Sequence, residues 1–257
     1  MRVLVTGGSG RLELELQTEL PRLGIEAFFP TRAELDVTLP DTIRAAIERY
    51  RPDVVAHAAA YTDVKGAEAE KKLCWRVNVG GTRNVVRALA GSAAKLVHIS
   101  TDYVFWGDRG GYTEDDPVGP ARNYYALSKL VAEEVARVHT NTLVIRTSFR
   151  PCEWPYPVAF TDVHTGQDYV DVIAPDVALA IRHAPEIADQ ALHIASERKS
   201  VYELARRRSS TVSPGTRCEA GVELPEDISL STERWDTLSS RWARPWRYRH
   251  SHVQSTR

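Results

Sequence analysis

A run of apolar residues that stops on a glycine turn and restarts as a helix admits few folds. Val3-Leu-Val5 is such a run, β-branched and without helical period, and it reads as a buried strand. It passes into Thr6-Gly-Gly-Ser-Gly10, and Arg11-Leu12 opens a helix-prone segment to about Leu20. Strand, glycine turn and helix, in that order, is the setting a dinucleotide fingerprint requires. Gly7 would allow the tight turn, and Gly10 would let the backbone approach a diphosphate at the helix N-terminus. The alternative is a plain strand-to-helix turn. The fingerprint also calls for a small residue at position 13, for close packing of helix on strand, and that residue is Glu13. Glu13 and Glu15 suit the helix dipole but would repel a nearby diphosphate. Either Glu13 swings outward or dinucleotide binding is impaired.

The same alternation continues. A second strand is predicted over Ile25 to Phe29, followed by Pro30-Thr31-Arg32, where dinucleotide folds meet the adenosine ribose. Arg32 could accommodate a 2′-phosphate, which tilts the choice toward NADP(H); an exposed structural arginine accounts for it equally well. A helix over about Pro40 to Arg49 and a strand over Asp53 to Ala56 lead to His57-Ala-Ala-Ala-Tyr61-Thr62. Alanines at a strand's carboxyl edge suit a flat ring lying on backbone, or a close helix–strand contact. Cys74 to Gly91 has helical period, with Asn78 early and Gly80-Gly81 inside, where glycines signal tight packing or ligand approach.

Lys95 to Lys129 carries the chemistry. Leu96 to Ile99 reads as a buried strand ending at Ser100-Thr101-Asp102, at the edge where open α/β sheets bind ligands. Leu127, Leu130, Val131, Val135 and Val138 then mark a helix on which Tyr125 and Lys129, four apart, share a face. An ammonium at that distance favours the phenolate and lowers the tyrosine pKa, giving a group able to exchange a proton near neutrality. Thr101 could hold the same substrate oxygen. A solvated helix face would also explain the spacing taken alone.

A further strand is predicted over Thr142 to Ile145. Beyond Arg150 the texture changes: Pro151, Trp154, Pro155 and Pro157 mark an irregular segment. Asp168 to Val172 alternates like a strand, Pro175 to His183 and Ser200 to Arg208 read as helices, and Ala191 to Ile194 as a strand. The fold class is therefore α/β, a doubly wound parallel sheet, with residues 1–150 as the dinucleotide-binding part. Residues 151–257 read as a substrate lobe interleaved with the last sheet elements. The basic, aromatic end at Arg241 to Arg257 reads as a frayed or lightly docked terminus rather than a nucleic-acid site.

The 257 residues suffice for one large α/β domain, and a formal net charge of -1 gives no pull toward nucleic acid or an acidic membrane. Cys74, Cys152 and Cys218 lie far apart with no Cys-x-x-Cys, and the histidines lack metal-ligand spacing; neither disulfide framework nor metal site is indicated. His57 and His98 lie in strands as core residues. A reducing cytoplasm is expected, with no signal core and no spanning segment.

Taken together these pieces resemble the extended short-chain dehydrogenase/reductases, and within them the dTDP-4-dehydrorhamnose reductases. The matching stretches are Val5-Thr-Gly-Gly-Ser-Gly10, Arg32-Ala-Glu-Leu-Asp36, Pro52 to Thr62, Asn78-Val-Gly-Gly-Thr82, Ser100-Thr-Asp-Tyr-Val-Phe105, Tyr125-Ala-Leu-Ser-Lys129 and Arg146-Thr-Ser148. The resemblance implies a keto-sugar reductase, its substrate nucleotide-linked, using NADPH or NADH. Tyr125 would protonate the oxygen at C4 as hydride arrives, Lys129 would lower its pKa and bind the nicotinamide ribose, and Thr101 would bind the substrate oxygen. Gly7, Gly10, Arg11 and Leu12 would surround the diphosphate, with Asp36 and Val37 near adenine. Ala58, Ala59, Ala60 and Thr62, joined by Asn78, would lie along the cofactor. Asp102, Tyr103, Trp106 and Trp154 would face the sugar. Asp102-Tyr103 stands where related dehydratases carry Asp-Glu, which argues against dehydration; a C4-epimerase uses the same three residues. Two departures stand out: Glu13 for the third glycine, and a short span between Ser148 and Asp168. They motivate a second reading, a non-catalytic regulatory subunit on this fold. A monomer or homodimer acting on a small molecule is expected.

Overall fold

The computed structural model describes residues 1–220 and 223–242. Six strands form one sheet: β1 (Arg2–Thr6), β2 (Glu26–Phe28), β3 (Val54–His57), β4 (Lys95–Ser100), β5 (Thr142–Arg146) and β6 (Ala191–His193). Their spatial order is β6-β5-β4-β3-β1-β2 and every pairing is parallel. The order reverses between β1 and β3, so the loops leaving those two strands diverge there and open a crevice beyond their carboxyl ends.

Side-chain alternation along the strands feeds two cores. Val3, Val5, Val54, Ala56, Val97 and Ile99 face one side, packed on α1 (Arg11–Arg22) through Leu12, Leu16 and Leu20. Leu4, Val55 and Leu96 face the other, packed on α2 (Pro40–Tyr50) and on α3, a continuous rod made of Lys71–Trp75, Arg76–Gly80 and Gly81–Ala88. The middle piece of α3 is a π-helix, a local widening that the expected uninterrupted helix over Cys74 to Gly91 did not include. Gly81 is explained by packing: a Cβ there would strike the Val37 side chain.

Next comes α4 (Tyr124–Arg137), capped by Asn123, whose side chain accepts from the Ala126 amide at 2.8 Å. The strand expected over Asp168 to Val172 is only two residues long, Asp168–Tyr169. From Val170 the chain is α5 (Val170–His183), because Val170, Ile173, Ala174, Val177 and Ile181 are buried at helical spacing while Val172 is exposed. Pro175 lies within this helix rather than at its start, as its sequence position suggested. The lobe beside the sheet is held by short strand pairs, Phe149–Arg150 with Asp168–Tyr169 and Val158–Phe160 with Ser213–Gly215, and by α6 (Val201–Arg206). A last helix, α7 (Glu233–Ser239), was not evident in the sequence; it buries Trp235 in the core shared by α1 and α5. Trp242 stacks on His183, ring centroids 4.1 Å apart. The rest of the basic tail, with Trp246 and Tyr248, lies outside the described residues. Among the described residues no helix is long and apolar enough to cross a membrane, and no group of side chains could hold a metal ion.

Candidate active site

At the carboxyl end of β4 the chain turns at Thr101, and α4 crosses directly over that turn. Close approach is possible because α4 buries small side chains, Ala126, Ser128, Ala132 and Ala136, toward the sheet. The same face carries Tyr125, Lys129 and Glu133 at successive four-residue steps, all buried. Thr101, Tyr125 and Lys129 are thereby brought together: the Thr101 hydroxyl, which donates to Asp102 Oδ1 at 3.0 Å, lies close enough to the Tyr125 phenol to oppose the rise of its pKa, and Lys129 Nζ donates to the Ile99 carbonyl at 2.7 Å.

The electrostatics differ from the expectation in one respect. Burial pushes the Tyr125 phenol well above its ordinary pKa, and Asp102, Tyr103 and Cys74 push the same way against the nearby Thr101 hydroxyl. Lys129 directs its ammonium at the Ile99 carbonyl, and burial lowers its pKa to about 8, with Glu133 pulling it back up. In this structure Tyr125 is therefore a neutral phenol at pH 7, not a softened one. Asp102, 2% exposed, is raised to about 6 by burial.

Three side chains missed in the sequence complete this end. Ser148 accepts a 2.6 Å bond from Gln167 Nε2 and lies beside Asp102; Ser148 and the Arg150 guanidinium oppose the burial that raises the Asp102 pKa, and Arg150 does the same for Tyr103. Ser148 and Arg150 follow β5, the strand beside β4, so their position was readable once that neighbour was known. Arg150 also lies 5.6 Å from the Trp154 ring centroid, which links Trp154 to Asp102; Tyr103 meets Tyr125 edge-on at 6.1 Å. Trp106 is stacked under the Arg122 guanidinium at 3.9 Å.

The remaining expected residues spread along the crevice. Ala58, Ala59 and Ala60 are half-buried beyond β3, and Ala59 N donates to Thr6 Oγ1 at 3.2 Å; Thr62 is exposed. Asn78 is engaged as a clamp. Its amide accepts from Tyr61 N at 2.7 Å and donates to Ser128 Oγ at 2.8 Å, tying the loop after β3 to α4. Asp36 caps its own loop by accepting from Thr38 N at 2.8 Å, and it pairs with exposed Arg32 at 3.3 Å; Val37 is buried against Gly81. A surface groove of about 560 Å³ runs along the outer face of α3 between Thr38, Trp75, Arg83 and Tyr124. Polar groups converge instead around Tyr125, one residue on from Tyr124 and buried.

At the glycine turn, Gly7 takes φ 98°, open only to glycine without strain. Arg11 is exposed and Leu12 buried, at the start of α1. Glu13 does not swing outward. It is 5% exposed, and its carboxyl lies over the turn, filling the space into which a Cβ on Gly7 or Gly10 would project. Burial raises it to about 7. The space beside Gly7 and Gly10, where the glycine turn leads one to expect a diphosphate, is thus taken by a side chain of the chain itself.

Comparison with known proteins agrees with this architecture. Residues 1–150 match the family model of the RmlD substrate binding domain. The dTDP-4-dehydrorhamnose reductase of Mycobacterium tuberculosis (strain ATCC 25618 / H37Rv) is 37% identical over 180 residues, 67% of this chain and 54% of that protein. That of Streptomyces griseus is 40% identical over 151 residues, 58% of this chain and 49% of that one. The chain spans about half the length of the curated relatives it matches. Among solved structures, a dTDP-4-dehydrorhamnose reductase from Bacillus anthracis str. Ames in complex with NADP superposes with a TM-score of 0.82 at 27% identity, covering 92% of each chain. The UDP-glucose 4-epimerase of Thermus thermophilus shares the fold, at 19% identity and a TM-score of 0.73 over 94% of this chain and 93% of that one. With a parallel Rossmann-like sheet and a family match over more than half its length, this chain belongs to the RmlD substrate-binding domain family.

Proposed function

We propose that the chain is an NADPH-dependent reductase of a keto-sugar, nucleotide-linked as in the dTDP-4-dehydrorhamnose reductases it is similar to. The observation that carries this reading is the buried convergence of Thr101, Tyr125 and Lys129 beyond β4. The nicotinamide cofactor, when bound, supplies a hydride. Tyr125 Oη, held neutral by burial, is the proton donor to the carbonyl oxygen as that oxygen gains charge, at the sugar's C4 if the likeness extends to the substrate. The Thr101 hydroxyl orients the same oxygen. Lys129, still mostly an ammonium at pH 7, stabilises the phenolate left behind. Asp102, Tyr103 and the Arg150–Trp154 pair line the sugar side. The NADP complex of the Bacillus anthracis relative supports NADPH over NADH. For Tyr125→Phe, reduction of dTDP-4-dehydrorhamnose by NADPH should fall roughly 10²–10⁴-fold with NADPH binding retained; full turnover in that variant would refute the reading. A second reading, a non-catalytic subunit on the same fold, draws its support from Glu13 and from the short span between Ser148 and Asp168.

A further inference from the structure

The glycine turn after β1 and the first turn of α1 together make the seat in which this fold class receives a diphosphate, with backbone amides and the positive end of the helix aimed at it. In this chain both Gly7 and Gly10 face the Glu13 carboxyl. A negatively charged group of the chain's own thus sits in a place built for negative charge. We propose that Glu13 is a built-in occupant of the diphosphate seat, which a dinucleotide must displace, so that this one side chain sets how tightly the chain binds its cofactor. The inference rests on the reductase reading of the site.

Three observations support it. First, the side chain is aimed at the turn rather than at solvent, although an exposed rotamer would avoid the desolvation that raises its pKa to about 7. Second, no cation pairs with it among the described residues; its own backbone amide is its hydrogen-bond donor. On α1 its charged neighbours are exposed Arg11 and Glu15, which reaches Cys152. From α5, packed against α1, come Asp171, Asp176, Arg182 and His183; Asp171 pairs with Arg208 and His183 with Glu186. The loop after β3 presents alanines, and Arg32 after β2 pairs with Asp36. Third, the amides of the α1 N-terminus receive no cap from the Gly10 position, so the Glu13 carboxyl is the anion at that helix end. A diphosphate supplies the same electrostatics with more oxygens, and it competes for the same volume.

Displacement moves the carboxyl into water, so it is easiest when the carboxyl is ionised and its burial is penalised. Between a buried pKa of about 7 and an ordinary value of 4.5 displacement releases a proton, and linkage predicts that NADPH binds about tenfold tighter at pH 8 than at pH 6. The test is calorimetric titration of the full chain with NADPH at both pH values, for the native protein, Glu13→Ala and Glu13→Gly, with circular dichroism as a check on folding. Glu13→Ala should bind at least tenfold tighter than the native chain at pH 6 and lose the excess pH dependence, the residual slope being the ligand's own. Glu13→Gly, the fingerprint residue, should bind at least as tightly. Equal affinity of native and variant proteins overturns the proposal and leaves the reductase reading standing. Failure of all three folded proteins to bind overturns both.

Discussion

The crevice of this protein has two ends at the edge of one parallel sheet, beyond β1 and beyond β4, and they are built on opposite principles. Beyond β4, Thr101 is bonded to Asp102 and Lys129 to a carbonyl around the buried Tyr125, and the charges are tempered by burial. Beyond β1, a carboxyl is buried with no counter-charge among the described residues, against a backbone shaped by Gly7 and Gly10 to receive something else. The sheet supplies both locations by the same rule, since loops leave a parallel sheet at the carboxyl ends of its strands. What each location can do is decided by single side chains. Fold and chemistry are therefore separable here, and a family match alone would not distinguish the two ends.

Four changes sharpen or break the contrast. The largest effect falls on turnover: Tyr125→Phe should lose roughly 10²–10⁴-fold in NADPH oxidation with keto-sugar while its melting temperature holds, because one oxygen leaves an intact pocket. Next is the support beneath the β4 end. Arg146 makes two hydrogen bonds to Glu133, at 3.1 and 2.9 Å, with both residues nearly inaccessible. Glu133→Ala strands the guanidinium and should destabilise by about 3–5 kcal/mol in urea unfolding. Because Glu133 holds the Lys129 pKa up, any residual activity should lose its alkaline limb at lower pH.

The β1 end should respond with the opposite sign. Glu13 titrates near 7 when folded against an ordinary carboxyl value of 4.5, so its burial carries no penalty below about pH 4.5. The penalty grows between those pH values and is complete above 7. Glu13→Gln should therefore be more stable than the native chain at pH 8, by up to roughly 3 kcal/mol, with the difference vanishing near pH 4.5. A native chain equally stable relative to Glu13→Gln at both pH values would mean the carboxyl is not buried in solution. The smallest effect is local. Asn123→Ala removes the cap of α4 and should cost about 1 kcal/mol by denaturant midpoint, fraying the turn that presents Tyr125.

Much of this was legible in the chain itself. Short apolar runs at Val3, Val54, Leu96 and Leu143 have no partner but a buried parallel sheet, and Tyr125 and Lys129 can share a helix face only as they do here. The lobe was harder to read. Pro175 suggests a helix start, yet Val170, Ile173, Ala174 and Val177 begin the helix a turn and a half earlier, because their burial against α1 outweighs one missing hydrogen bond. The helix around Trp235 is too short to carry a period of its own; the core it plugs defines it.

The sequence by itself determined the alternation of strand and helix, the glycine turn, and which residue types stand at the strand ends, since each follows from local pattern and backbone sterics. Only the tertiary structure decided that β5 lies beside β4 and so brings Ser148 and Arg150 to Asp102, that Asn78 ties the loop after β3 to α4, and that Glu13 turns inward. Those outcomes depend on which surfaces meet, and on whether a charge finds water or a helix end first. Neither is written in any one stretch of the chain.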